Sequence, residues 1–94
     1  MEYIKTYFKG AKYLYRLTSA SSIKMFWYFT ANMNDDNQVL FTKDFKEKIM
    51  KDLDLSESAV NKALRALKEN NCVFGRAPIL TVNKEILEPG PEND

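Results

Sequence analysis

The segment Leu53-Asp54-Leu55-Ser56-Glu57-Ser58-Ala59-Val60-Asn61-Lys62-Ala63-Leu64-Arg65-Ala66-Leu67 constrains the fold more than any other part of the chain. Ser56 is suited to cap a helix, because its hydroxyl can accept from a first-turn N–H that has no partner within the helix. Glu57 then sets a negative charge at the positive end of the helix macrodipole. At ~100° per residue, Val60, Ala63, Leu64 and Leu67 share one side, with Ala59 and Ala66 at its margin. Ser58, Asn61, Lys62, Arg65 and Lys68 fall on the other. Such a helix is buried along one face and offers amides and cations along the opposite one. Before it, Thr42 is a second capping residue, and Phe45, Ile49 and Leu53 repeat at intervals of four through Lys43 to Leu53. Asp54-Leu55 leave room only for a tight turn, with Leu55 plugging the corner. Two capped amphipathic helices joined so closely read as a helix-turn-helix.

Other elements are placed around this pair. Residues 1–9 are rich in Tyr and Phe and favour a strand or extended arm, and Ala11 to Leu17 suits a short helix with Leu14 and Leu17 inward. Ser19, Ser21 and Ser22 offer caps to a helix in which the apolar residues of Ile23 to Met33 cover a wide arc. That arc fits a central helix touched on two sides, or a helix that keeps Trp27 and Tyr28 for a dimer interface. Asn34 to Asn37 read as a turn and Gln38 to Phe41 as a short strand. Asn70-Asn71 stand where the chain leaves the last helix with positive φ, which Asn tolerates better than most residues. Cys72-Val73-Phe74, a tight turn at Gly75-Arg76-Ala77-Pro78, and Ile79-Leu80-Thr81-Val82 complete a β-hairpin. The expected organisation is an arm over residues 1–18, a folded domain over 19–87 and a disordered acidic tail over 88–94, where Pro89, Gly90 and Pro91 interrupt any regular element.

Composition narrows the chemistry. Ninety-four residues suffice for one core and not two. The net charge of +1 hides an uneven distribution, because Glu88, Glu92 and Asp94 have no base beside them. Residues 1–87 hold all 14 Lys and Arg against 10 acids, a mildly basic balance compatible with a nucleic-acid partner. There is no histidine, so the usual general base and the commonest metal ligand are missing. Cys72 stands alone, which removes an intrachain disulfide and a Cys-based metal site and suits a small buried side chain. With glycine only at positions 10, 75 and 90, no phosphate-cradling loop can form. Asp35 and Asp36 are better explained by a solvated turn than by a catalytic pair or a Mg²⁺ site. An enzyme is not expected, and neither is a cofactor or a metal. The longest apolar run, Met25 to Phe29, is far too short to span a bilayer, and no leader opens the sequence. A cytoplasmic protein is expected.

Helix, short strand, helix, turn, helix and two strands is the order of a winged helix-turn-helix, mainly α with a small β-sheet. Four stretches carry a more specific likeness: Met33-Asn34-Asp35-Asp36-Asn37-Gln38-Val39, Leu53-Asp54-Leu55-Ser56, Val60-Asn61-Lys62-Ala63-Leu64 and Leu80-Thr81-Val82-Asn83. Through them the sequence resembles the winged-helix domains of the MarR-like superfamily, and most closely the plasmid replication protein RepL family of Gram-positive bacteria, over residues 20–87. It departs from similar domains in a wing with a single basic residue, Arg76, and in a helix exit built on Asn70-Asn71 rather than Gly. The resemblance implies plasmid maintenance, by replication initiation or copy control.

Such a domain is expected to bind double-stranded DNA with its second helix in the major groove. Ser58, Asn61, Lys62 and Arg65 are then the base-facing candidates. The Asn61 amide suits adenine and the Arg65 guanidinium suits guanine, each contact worth ~1–3 kcal/mol of discrimination. Thr42, Ser56 and the helix N-termini can meet phosphates, with Lys43, Lys46 and Arg76 flanking the groove. A transfer-origin-binding accessory protein of a conjugative relaxosome, or a transcriptional repressor, would use the same surface, so these residues do not separate the three roles. A winged-helix protein-interaction module is the alternative outside DNA binding. Further candidate partners are a second copy, through residues 1–18 or Trp27 and Tyr28, and a replication or relaxase protein.

Overall fold

The computed structural model describes the backbone of residues 4–6 and 11–89 and the side chains of residues 12–86. In chain order the elements are β1 (Ile4–Thr6), α1 (Ala11–Leu14), α2 (Ala20–Asn32), β2 (Gln38–Leu40), α3 (Lys43–Leu53), α4 (Glu57–Glu69), β3 (Val73–Arg76), β4 (Ile79–Val82) and β5 (Leu87–Pro89).

Each long helix begins where a hydroxyl satisfies a first-turn amide. Ser19 Oγ accepts from Ser22 N at 3.1 Å, Thr42 Oγ1 from Phe45 N at 3.2 Å, and Ser56 Oγ from Ala59 N at 3.1 Å. Their ends are as local. Asp54 closes α3 in the left-handed region at φ 55°, and the amides of Asp54 and Leu55 both donate to the Met50 carbonyl. Asn71, at φ 60°, turns the chain out of α4, while the Asn70 amide and side chain both donate to the Ala66 carbonyl. These bonds satisfy carbonyls that the last turn of a helix leaves without partners.

Burial of one face per helix builds the core. Met25, Phe26 and Phe29 of α2 are fully buried, as are Ile49 of α3 and Val60 and Leu67 of α4. α2 packs chiefly against α4. Along the α2–α3 seam, Tyr28, Phe29, Phe41 and Phe45 meet ring to ring at centroid distances of 5.7–6.2 Å. The wide apolar arc of α2 is therefore mostly that of a central helix. Tyr28 joins this seam and donates to Asp52 Oδ2 at 2.7 Å, whereas Trp27 remains 47% exposed.

A three-stranded antiparallel sheet, in the order β2-β4-β3, covers the helices. Val39, Leu80, Val82 and Val73 point into the core, as period-two alternation requires. The turn before β2 is bound to the sheet at both ends. Asn34 Oδ1 accepts from the Asp36 and Gln38 amides at 2.9 Å each, and its own amide donates to the Gln38 carbonyl. Asn37 is buried at φ 62°, its side chain donating to the Val82 carbonyl and its carbonyl accepting from the Val82 amide. Asn34 thus pairs both backbone groups of Gln38 at the start of the edge strand β2, where they would otherwise be left without a partner.

Four boundaries differ from those read in the sequence. Phe41 lies just beyond β2, and the short helix stops at Leu14, although Leu17 is buried as expected. The hairpin strand continues through Gly75 and Arg76, leaving only Ala77-Pro78, joined by a cis peptide bond, as its turn. Gly75 spends its positive φ of 103° within the strand, where a Cβ would come within 2.9 Å of the Ile79 carbonyl oxygen. The tail expected from residue 88 begins instead with two ordered residues: Glu88 and Pro89 belong to β5, which pairs antiparallel with β1, Lys5 opposite Glu88. Ile86, fully buried, anchors the chain just before that strand, so the backbone groups of β1 find a partner there. Residues 1–3 and 7–10 of the expected arm, and 90–94 of the tail, lie outside the described residues.

Candidate nucleic-acid interface

The exposed side of α4 carries the expected polar set. Ser58, Asn61, Lys62, Arg65 and Lys68 are all exposed, while Val60, Ala63 and Leu67 are buried behind them. Asn61 and Arg65, one turn apart, border a shallow hollow of about 280 Å³ that Leu64, Lys68 and Glu69 complete. An amide and a guanidinium are thereby set side by side on one helical surface. This is the chemistry that base-edge recognition uses.

The remaining candidates are placed less uniformly. Thr42 and Ser56 spend a lone pair on capping, but each keeps a hydroxyl proton on an exposed residue. Lys43 is exposed at the start of α3. Lys46 lies closer in, its Nζ 3.1 Å from Glu57 Oε2, and so joins α3 to the first turn of α4 rather than standing free. Arg76 is exposed but ends β3 opposite Ile79, with Ala77-Pro78 forming the tip.

Sequence reasoning passed over three features. Glu57 was read only as a favourable charge for the helix dipole, because its partner Lys46 lies on another helix. Asn34 and Asn37 were read as turn formers, and Asn's tolerance of positive φ was the available signal for Asn37. The outer face of the sheet carries Leu40, Phe74 and Ile79 at 61%, 45% and 49% exposure, an apolar surface that alternation alone would have predicted to be polar.

Three described side chains hold their protons more tightly than usual, each for a local reason. Burial pushes the Cys72 thiol up to about 11, which keeps it protonated and unreactive near neutrality. The hydrogen bond to Asp52 pushes the Tyr28 phenol up to about 12, and the bond from Tyr13 to Glu85 raises Tyr13. Among the described residues, no group of three or more His, Cys, Asp or Glu side chains could hold a metal ion. No described helix is long and apolar enough to cross a membrane.

Two helices joined by a tight turn, a preceding central helix and a hairpin directly after the second helix define a winged helix-turn-helix protein. Over residues 1–94 the sequence matches the family of Firmicute plasmid replication proteins, RepL, and the chain belongs to that family. It is a plasmid replication-related protein. No curated protein and no solved structure matches the sequence.

Proposed function

We propose that this protein binds a specific double-stranded DNA site and acts there in plasmid replication, by initiating it or setting copy number, without catalytic activity of its own. The observation that carries the reading is the exposed face of α4. Ser58, Asn61, Lys62 and Arg65 occupy it, and the capped turn that positions the helix does not depend on their charge. In the proposed complex the N-terminal half of α4 enters the major groove. Ser58, Asn61 and Arg65 face base edges, while Lys62, on the same face but with the longer reach of a lysine, extends to a phosphate, as Lys43, Thr42 and Ser56 do from beside the groove. Arg76 reaches the backbone beside the wing. Family membership favours a replication origin over a transfer origin or a promoter as the place of binding. A setting in the cytoplasm, where plasmid DNA resides, follows from the same reading.

Selection of bound sequences from a random duplex pool at moderate salt tests it, with Arg65→Ala run in parallel. The expected result is one enriched motif that Arg65→Ala blurs at a single position. A wild-type protein that enriches nothing would move the function to a protein-interaction module.

A further inference from the structure

Lys46 and Glu57 form an ion pair, Nζ to Oε2 3.1 Å, at the start of α4. Glu57 is the first residue of α4, one turn before Asn61 and on the α3 side of the exposed face. Its side chain stays 69% exposed while that of Lys46 is 21% exposed, so the cation is held inward and the carboxylate outward. As a stabilising contact the pair contributes little, since solvent screens a carboxylate this exposed and ordering two long side chains offsets the attraction. As part of a groove-facing surface it has a definite chemistry. The N-terminal residues of a recognition helix are those that meet base edges. A carboxylate there accepts from the N4 amino group of cytosine, but phosphates on either side repel it. Lys46 cancels that repulsion from the α3 side and leaves the carboxylate facing outward.

We propose that Glu57 determines specificity for cytosine at one position of the site, with Lys46 as the residue that neutralises and positions it. The proposal rests on the duplex-binding reading of α4, and the test separates the two. Random-pool selection is run on the wild type, Glu57→Gln, Lys46→Met and the double variant, with thermal unfolding of each and affinity for the wild-type motif.

The wild-type motif is expected to contain a cytosine that Glu57→Gln exchanges for adenine, since a glutamine amide pairs with the adenine edge. Affinity of Glu57→Gln for the original motif should fall by about 5- to 150-fold. Lys46→Met should weaken binding to that motif, and Glu57→Gln in the same chain should restore binding to the adenine version, because no uncompensated charge remains. A Glu57→Gln motif identical to that of the wild type, whether or not Tm falls, would overturn the inference and leave duplex binding intact. Unchanged binding by Lys46→Met would overturn the part given to Lys46. A wild type that selects no motif would overturn both this inference and the proposed function.

Discussion

A few single residues in this protein act through hydrogen bonds that join elements distant in sequence. Tyr28 is the clearest case, because its phenol bridges α2 to Asp52 of α3 at 2.7 Å. The carboxylate accepts from the neutral phenol, and this raises the folded-state value from 10.0 to about 12. A group raised on folding contributes stability that is complete below its unfolded value and lost as pH rises through its folded one. The Tyr28–Asp52 contribution should therefore be intact below pH 10 and disappear through about pH 12. Alkaline titration of tyrosinate absorbance is expected to show a step near 12 that is absent from Tyr28→Phe. The step's persistence in that variant would mean that another phenol produces it. Asn83 works in a similar way, donating to the Asn71 carbonyl at 2.7 Å and accepting from the Glu85 amide at 2.8 Å. It holds the exit of α4 against the end of the sheet.

Among the elements, α4 depends most visibly on its start. Ser56→Ala removes the acceptor for the Ala59 amide and should cost about 1 kcal/mol, lowering Tm by about 4–8 °C. Ser58→Ala, at an exposed neighbour outside the cap, should stay within about 0.5 kcal/mol of wild type. Equal losses from both variants in thermal unfolding would remove the cap from the account. Both caps and helical periodicity are local, and for that reason the α3–turn–α4 unit and its polar face were legible from the residues alone. Thr42 and Ser56 each accept from an amide three residues on, and the split between Val60/Ala63/Leu67 and Ser58/Asn61/Lys62/Arg65 falls within a single helix. β5 was not legible, since its pairing with β1 joins Lys5 to Glu88 across most of the chain, through a segment whose Pro and Glu read as a tail. The Lys46–Glu57 contact was hidden for a related reason: no single helical period relates residues on two helices that only the turn geometry brings together. Gly75 was read as part of a turn because glycine signals positive φ without saying whether a strand can absorb it.

At the scale of the whole molecule, charge placement matters more than the total. A net charge of +1 would suggest indifference to a polyanion, yet the cations assigned to phosphates sit around the exposed face of α4 and the wing beside it. Lys46 is occupied by Glu57, and Arg65 is assigned to a base. On the proposed reading, Lys43, Lys62 and Arg76 would neutralise phosphates. At about −0.9 per phosphate neutralised on B-DNA, three such contacts give a log–log slope of affinity against salt of about −2.7. Lys62→Met should make that slope shallower by about 0.9 and weaken binding to all sequences alike. Arg65→Ala should leave the slope unchanged and relax one base position instead. Titrating a labelled duplex at several salt concentrations distinguishes these roles. A flat dependence for the wild type would show that the basic surface does not meet phosphates at all, whereas a slope that Lys62→Met leaves untouched would reassign that phosphate contact to another cation.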